Sequence, residues 1–219
     1  AIGLNYIDVY FRTGLYPLKK IPTTLGMEAA GVIEAIGKDV ENFKIGDRVA
    51  YPMVMGAYSE SRILQAKQAV RIPKSISDQQ AAATMLKGLT ALYLVRRTYP
   101  VKAGDNILVY AASGGVGTFL CQLAKYLGAT VIGCVGSPEK AELAKLNGCD
   151  YPILYKNEDV PNRVREITDG EGVAVAYDSV GQSTLNSSLD SLKPCGILAS
   201  FGNSSGPILN FDPAILAKK

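Results

Sequence analysis

The chain of 219 residues contains no histidine. That absence excludes a Ser-His-Asp or Cys-His nucleophile, a histidine metal ligand and an imidazole proton relay. Its four cysteines, Cys121, Cys134, Cys149 and Cys195, form no CxxC pair. Reduced core thiols are therefore expected rather than a disulfide framework or a thiolate metal centre. No apolar run approaches the ~18 residues that a spanning helix needs, so no membrane partner is expected. The formal charge is only +3 and is evenly spread, which gives no support for a nucleic-acid partner. Any chemistry must rest on Tyr, Lys, Asp, Glu, Ser or Cys, or on a bound cofactor. What is present is a folding composition, 47% apolar and 20% charged, with room for one large domain or two modest ones.

Two textures divide the chain. Residues 1–76 are rich in Gly, Pro and Tyr, with short β-like runs at Gly31–Ile36, Arg48–Tyr51 and Ala69–Ile72. Turn signals such as Ile45-Gly46-Asp47 and Ile72-Pro73 separate them, which predicts a compact, mostly antiparallel β unit. Ser77 and Gln80 have the spacing of a capping box ahead of a helix over Ala81–Val95. From Asp105 onward, apolar strands alternate with helices. Strands are expected at Ile107–Ala111, Thr130–Val135, Tyr151–Leu154, Val173–Tyr177 and Gly196–Phe201. Helices are expected at Val116–Leu127, Pro138–Asn147, Val160–Thr168 and Ser183–Leu192. This alternation means a doubly wound α/β parallel sheet over residues 77–219. A dinucleotide-binding sheet usually has six strands in the order 3-2-1-4-5-6, and five are countable. The chain also opens on Ala1 with what reads as interior sequence. Both an N-terminal and a C-terminal part of the fold are therefore expected to be missing.

The first strand runs into Ala112-Ser113-Gly114-Gly115-Val116-Gly117, an A-x-G-x-x-G turn that opens a helix. Small residues there let backbone approach a pyrophosphate, and the helix N-terminus faces the anion. Alone, the turn is compatible with packing. At the head of an alternating five-strand pattern it argues for dinucleotide binding. A carboxylate at the end of the second strand would take the ribose 2′-hydroxyl of NAD. Here Gly136-Ser137 stands in that place, with Glu139 and Lys140 on the next helix. Gly136 leaves room, Ser137 can donate and Lys140 can meet a 2′-phosphate, so NADPH is the expected cofactor. Ser137 can equally serve as N-cap, with Pro138 in the first helical position.

A longer ordered set of motifs resembles one family. It comprises Gly3-Leu4-Asn5-Tyr6-Ile7-Asp8, Leu25-Gly26-Met27-Glu28-Ala29-Ala30-Gly31, Gly46-Asp47-Arg48-Val49, Gly56-Ala57-Tyr58, Lys87-Gly88-Leu89-Thr90-Ala91, the glycine loop, Tyr177-Asp178-Ser179-Val180-Gly181 and Ser200-Phe201-Gly202-Asn203. Together these resemble the zinc-free quinone oxidoreductases related to zeta-crystallin, in the medium-chain dehydrogenase/reductase superfamily. The resemblance implies a GroES-like β domain over 1–76 and a Rossmann domain over 77–219. The superfamily's zinc enzymes carry Gly-His-Glu where this chain has Gly26-Met27-Glu28, and a cysteine ligand where it has Asn5. Asparagine and methionine cannot supply the thiolate and imidazole that hold catalytic zinc, so no metal is expected. Glu28 then reads as a partnered structural carboxylate.

By position, the resemblance implies that Asn5, Tyr10 and Tyr16 lie near nicotinamide and substrate. It implies cofactor contacts at Thr90, Gly114, Gly115, Val116, Gly136, Ser137, Lys140, Tyr155, Ser179, Val180 and Phe201. Plainer roles stay open: Tyr10 as β-domain core, Asn5 bonded to a loop backbone, Phe201 as apolar packing. The activity implied is NADPH-dependent reduction of a quinone, by hydride or one-electron transfer, with Tyr16 orienting or protonating the substrate oxygen. Reduction of an enone C=C bond and nucleotide binding without catalysis are the alternatives. A cytoplasmic homodimer joined at the sheet edge is also implied.

Overall fold

A computed structural model describes residues 1–218. It separates into two compact units, Ala1–Leu89 and Thr90–Lys219, each with its own sheet.

The first unit holds a four-stranded antiparallel sheet in sequential order: β1 (Ile2–Gly3), β2 (Glu28–Val32), β3 (Arg48–Pro52) and β4 (Val70–Arg71). Helix α1 (Tyr6–Thr13) leaves β1 directly, and its last turn closes on Gly14 in the left-handed region. The core is small because the inward side chains are small. Ala30, Ala50, Ala81 and Ala82 pack as one cluster, and Ala29, Tyr51 and Ala57 as another. The expected strand at Gly31–Ile36 lies further N-terminal, at Glu28–Val32, and Ile33–Ile36 fall outside it. Buried Glu28, expected as a partnered carboxylate ahead of the strand, is thus the first residue of β2. Helix α2 (Asp78–Tyr93) follows the expected box: Gln80 N donates to Ser77 Oγ at 3.1 Å and Ser77 N to Gln80 Oε1 at 2.9 Å. Its α-helical hydrogen bonding ends at Tyr93, and Leu94–Thr98 continue as one π-helical turn.

The second unit is a five-stranded parallel sheet with helices on both faces. Its strands are β5 (Asn106–Tyr110), β6 (Thr130–Val135), β7 (Tyr151–Leu154), β8 (Val173–Asp178) and β9 (Leu192–Ser200). Their order is β7-β6-β5-β8-β9, the expected 3-2-1-4-5. The connecting helices are α3 (Gly115–Tyr126), α4 (Pro138–Leu146), α5 (Val160–Ile167) and α6 (Leu185–Asp190). Alternate residues of β5 serve opposite faces. Ile107 and Val109 pack with Leu120 and Ala124 of α3, while Leu108 and Tyr110 join Val160 and Val164 of α5.

Most limits in this unit fall within a residue of expectation, and the wider departures are at α6 and β9. Helix α6 begins at Leu185, and β9 begins at Leu192 rather than Gly196. The β8–β9 ladder shifts register between Val173 and Val175, and Cys195 takes φ +61° on the opposing strand. The Lys-Pro-Cys-Gly segment is thus an irregularity inside a strand, not the turn before one. Cys195 is also exposed, unlike the other three cysteines, which are buried thiols.

Candidate active site

The candidate residues of the second unit share one edge of the sheet. Each follows the carboxyl end of a parallel strand: Gly114, Gly115 and Val116 after β5, Gly136 and Ser137 after β6, Tyr155 after β7, Ser179 and Val180 after β8, Phe201 after β9. Ligands of open α/β sheets bind at this edge. Thr90, half-buried on α2, comes from outside that set.

The glycine loop has the geometry of a phosphate cradle. Ala111 turns the chain at φ +51°, and Gly114 N donates to Ala111 O at 2.8 Å. Gly114 is the N-cap of α3 and supplies no capping side chain, so the first helical N–H groups remain for a ligand. A Cβ on Gly117 would lie 2.2 Å from Ala111 O and 2.8 Å from Ala112 Cα. Only glycine lets the helix come this close to the loop. The residues therefore fit the diphosphate of a dinucleotide at the positive end of α3.

At the end of β6, Ser137 caps α4 by accepting from Lys140 N at 3.4 Å, with Pro138 in the first turn. Glu139 accepts from the Ser137 hydroxyl, which holds its carboxyl below the usual range. A Cβ on Gly136 would stand 3.2 Å from Tyr155 Oη, so the tyrosine leans over the glycine. Lys140 and Tyr155 are exposed beside it, and no carboxylate directly follows β6.

Sequence reasoning missed the residue that shapes the β8 end. Asp178 is 2% exposed. Its Oδ1 accepts from Val180 N at 2.7 Å and Gly181 N at 3.1 Å, and its Oδ2 from Thr184 Oγ1 at 2.7 Å and Ser188 Oγ at 2.6 Å. All four lone-pair positions are used, so the Ser179–Gly181 turn is held by one buried carboxylate. An acidic residue closing the run Val173-Ala-Val-Ala-Tyr was the available signal. Across the ladder, Phe201 N donates to Asp178 O at 2.8 Å, which keeps half-buried Phe201 beside that turn.

In the first unit Asn5, Tyr10 and Tyr16 gather around α1. Asn5 is the N-cap, in a reciprocal box with Asp8, whose Oδ2 accepts from Asn5 N at 3.0 Å. Tyr10 is 8% exposed and Tyr16 half-buried, with ring centroids 5.1 Å apart. Tyr16 N also donates to Tyr10 O at 3.1 Å. Asn5 also reaches Glu28, which is fully buried and accepts from Asn5 Nδ2 at 2.8 Å, Leu86 N at 2.7 Å and Lys87 Nζ at 2.6 Å. The expected partnered carboxylate is thus met by an ammonium. Tyr58, part of the Gly56-Ala57-Tyr58 motif but given no role by sequence, donates to Asp8 Oδ2 at 2.8 Å, and burial together with that carboxylate pushes its phenol up to about 12. Asp8 Oδ1 is buried with no partner among the described residues. An open hollow of about 800 Å³ elsewhere in this unit, lined by residues such as Val32, Phe43 and Leu64, contains none of the three candidates.

Two family models cover this chain: an alcohol dehydrogenase GroES-like domain over residues 1–74 and a zinc-binding dehydrogenase domain over 115–219. A quinone oxidoreductase of Pseudomonas aeruginosa is 52% identical over 220 residues, covering 100% of this chain and 68% of that protein. The chain belongs to the quinone oxidoreductase family. It spans about two thirds of such a relative's length. The crystal structure of Escherichia coli quinone oxidoreductase complexed with NADPH superposes with a TM-score of 0.97 at 47% identity, over 100% of this chain and 67% of that one. Another relative, a 2-haloacrylate reductase of Burkholderia, is 45% identical over 212 residues, covering 94% of this chain and 64% of that protein. The chain has the GroES-like and Rossmann architecture that the resemblance implies. The zinc of the second family description does not fit it. Met27 is a buried thioether, 6% exposed, and the Asn5 carboxamide is committed to Glu28.

Proposed function

We propose that this chain reduces quinones with NADPH and without a metal. The observation that carries the reading is its near-complete superposition, at about half identity, on a quinone oxidoreductase solved with NADPH. The loop of Gly114, Gly115 and Val116 binds the diphosphate through N–H groups of α3. Gly136, Ser137, Lys140 and Tyr155 receive the adenosine end, with the Lys140 ammonium meeting the 2′-phosphate. Asn5, Thr90, Ser179, Val180 and Phe201 hold the nicotinamide end. NADPH bound there supplies the hydride. The protein's own task is then to orient two partners and exclude water. Tyr16 donates a hydrogen bond to the quinone oxygen and delivers its proton, and Tyr10 packs against the Tyr16 ring to fix it.

Family resemblance further supports a functional division at 1–76 and 77–219, a cytoplasmic setting and, for a longer parent protein, a homodimer joined near a sixth strand of the sheet, with neither membrane nor nucleic acid as partner. Among the described residues no helix is long and apolar enough to cross a membrane. The 2-haloacrylate reductase relative favours one second reading, reduction of an activated C=C bond. One assay tests both: NADPH oxidation followed by absorbance against benzoquinone, naphthoquinone and a small set of enones. Fast turnover with quinones is the expected result, and turnover confined to enones selects the second reading. Tight NADPH binding with neither substrate turned over overturns both in favour of a nucleotide-binding protein. Light scattering of the longer parent protein at several concentrations tests the dimer, and a constant monomer mass refutes it.

A further inference from the structure

Glu28 does more than fill a core position. Leu86 N and Lys87 Nζ both donate to it, one to each carboxylate oxygen, so every group facing Glu28 must be a donor. The atom that Asn5 turns toward it is therefore the amide nitrogen. The Asn5 oxygen, in turn, is needed by the capping box at the start of α1. Carboxylate and cap together leave the carboxamide one rotation. In that rotation the second hydrogen on Nδ2 is a donor with no assigned task.

We propose that Glu28 is a positioning residue that fixes the polarity of Asn5, so that Asn5 offers an N–H, through its remaining Nδ2 hydrogen, to an oxygen of the bound reactants. The inference rests on the proposed quinone reductase activity. The recipient is an acceptor oxygen, either a ribose hydroxyl of the cofactor or the carbonyl of the quinone. Lys87 completes the device by neutralising a carboxylate that is shut off from solvent.

Glutamine in place of Glu28 reverses the polarity. Its single oxygen can serve Leu86 N or face Asn5, but not both. If it serves Leu86 N, an NH₂ group confronts Asn5, and the asparagine must turn its oxygen inward. The donor and the cap are then both disturbed.

The test compares Glu28→Gln, Asn5→Ala, and the double variant Asn5→Asp with Glu28→Gln. Each is measured by melting temperature, by NADPH binding through the cofactor's own fluorescence, and by kcat and KM with benzoquinone. In the double variant the introduced glutamine donates through Nε2 to one oxygen of the introduced aspartate, and the other aspartate oxygen caps α1. The bonds to Leu86 N, to residue 5 and to the cap return, the bond from Lys87 Nζ to the Oε1 position is lost in both variants, and no N–H donor is restored at residue 5. Melting should therefore recover toward the parent, whereas kcat/KM should stay at least about tenfold low, as in Glu28→Gln. Weakened NADPH binding identifies the ribose as recipient. Unchanged NADPH binding with an altered quinone KM or kcat identifies the carbonyl. Activity that recovers together with melting overturns the proposal in favour of a purely structural Glu28. Parent-like binding and kinetics in Glu28→Gln also overturn it. If Glu28→Gln alone does not fold, the double variant still decides. A parent chain that turns over no quinone defeats the activity itself, and then parent-like NADPH binding in Glu28→Gln defeats the positioning role separately.

Discussion

Replacement of Gly117 by alanine is the sharpest probe of the glycine loop. The new Cβ would stand 2.2 Å from Ala111 O and 2.8 Å from both Ala112 C and Ala112 Cα. All three are backbone atoms, so no side chain can swing aside. Reaching ordinary contact near 3.4 Å requires loop and helix to separate by about 1.2 Å. Phosphate hydrogen bonds span only about 2.7–3.1 Å, so a displacement of that size breaks those made by the first turn of α3. Two lost charge-assisted bonds at roughly 1.5 kcal/mol each give about 3 kcal/mol, or a Kd for NADPH raised about 100-fold. The same strain costs stability of about 1–3 kcal/mol. Fluorescence titration and urea unfolding measure the two losses. Gly31→Ala is the control, since nothing lies within 4 Å of its Cβ. A Gly117→Ala protein that binds NADPH within threefold of the parent and unfolds at the same urea concentration would refute the cradle.

Four further outcomes are expected. Lys140→Ala should weaken NADPH binding about tenfold and leave NADH binding unchanged, and equal losses for both cofactors would contradict a 2′-phosphate contact. Asp178→Ala should strip partners from two backbone N–H groups and two hydroxyls and destabilise the second unit by about 3 kcal/mol or more in urea. Stability should fall at alkaline pH. Burial raises Cys149 from 9.0 to about 11 and Tyr58 from 10.0 to about 12, so the folded protein holds these protons longer than the unfolded chain does. The stabilisation is complete below pH 9 and is lost through pH 9–12, and urea midpoints that stay flat to pH 12 would contradict it. Quinone reduction should survive exhaustive chelation, and elemental analysis finding one zinc per chain would overturn the reading of Asn5 and Met27.

Much of the second unit is legible in sequence because its signals are local. Thr130–Val135 and Tyr151–Leu154 are continuous apolar strands between turn residues, and their limits agree with the structure. β9 is harder to read because proline and glycine occur inside it. The bulge that tolerates them depends on the partner strand, which no local pattern reveals. Glu28 hides β2 for a related reason. The resemblance implies a partner for it, but no local pattern names Lys87, 59 residues away, as the ammonium that lets it lie inside a strand. The zinc-incompatible pair at Asn5 and Met27 is visible directly. The link from Tyr58 to Asp8 is not, since its partners are 50 residues apart and neither residue type is unusual for a loop or a helix start.

The placement of candidate contacts beyond the strand ends bears on how this protein can change. Val131, Ile132 and Cys134 of β6 are fully buried, whereas Ser137 is only half-buried and Lys140 is exposed. On the proposed assignment, folding is entrusted to one set of residues and cofactor choice to another, only a few positions further along the same chain. Selection can rewrite the stretch from Gly136 to Lys140, for instance by installing an acid that favours NAD, with little penalty to the sheet beneath. The lineage can move between redox pools by drift at the rim while its interior stands still.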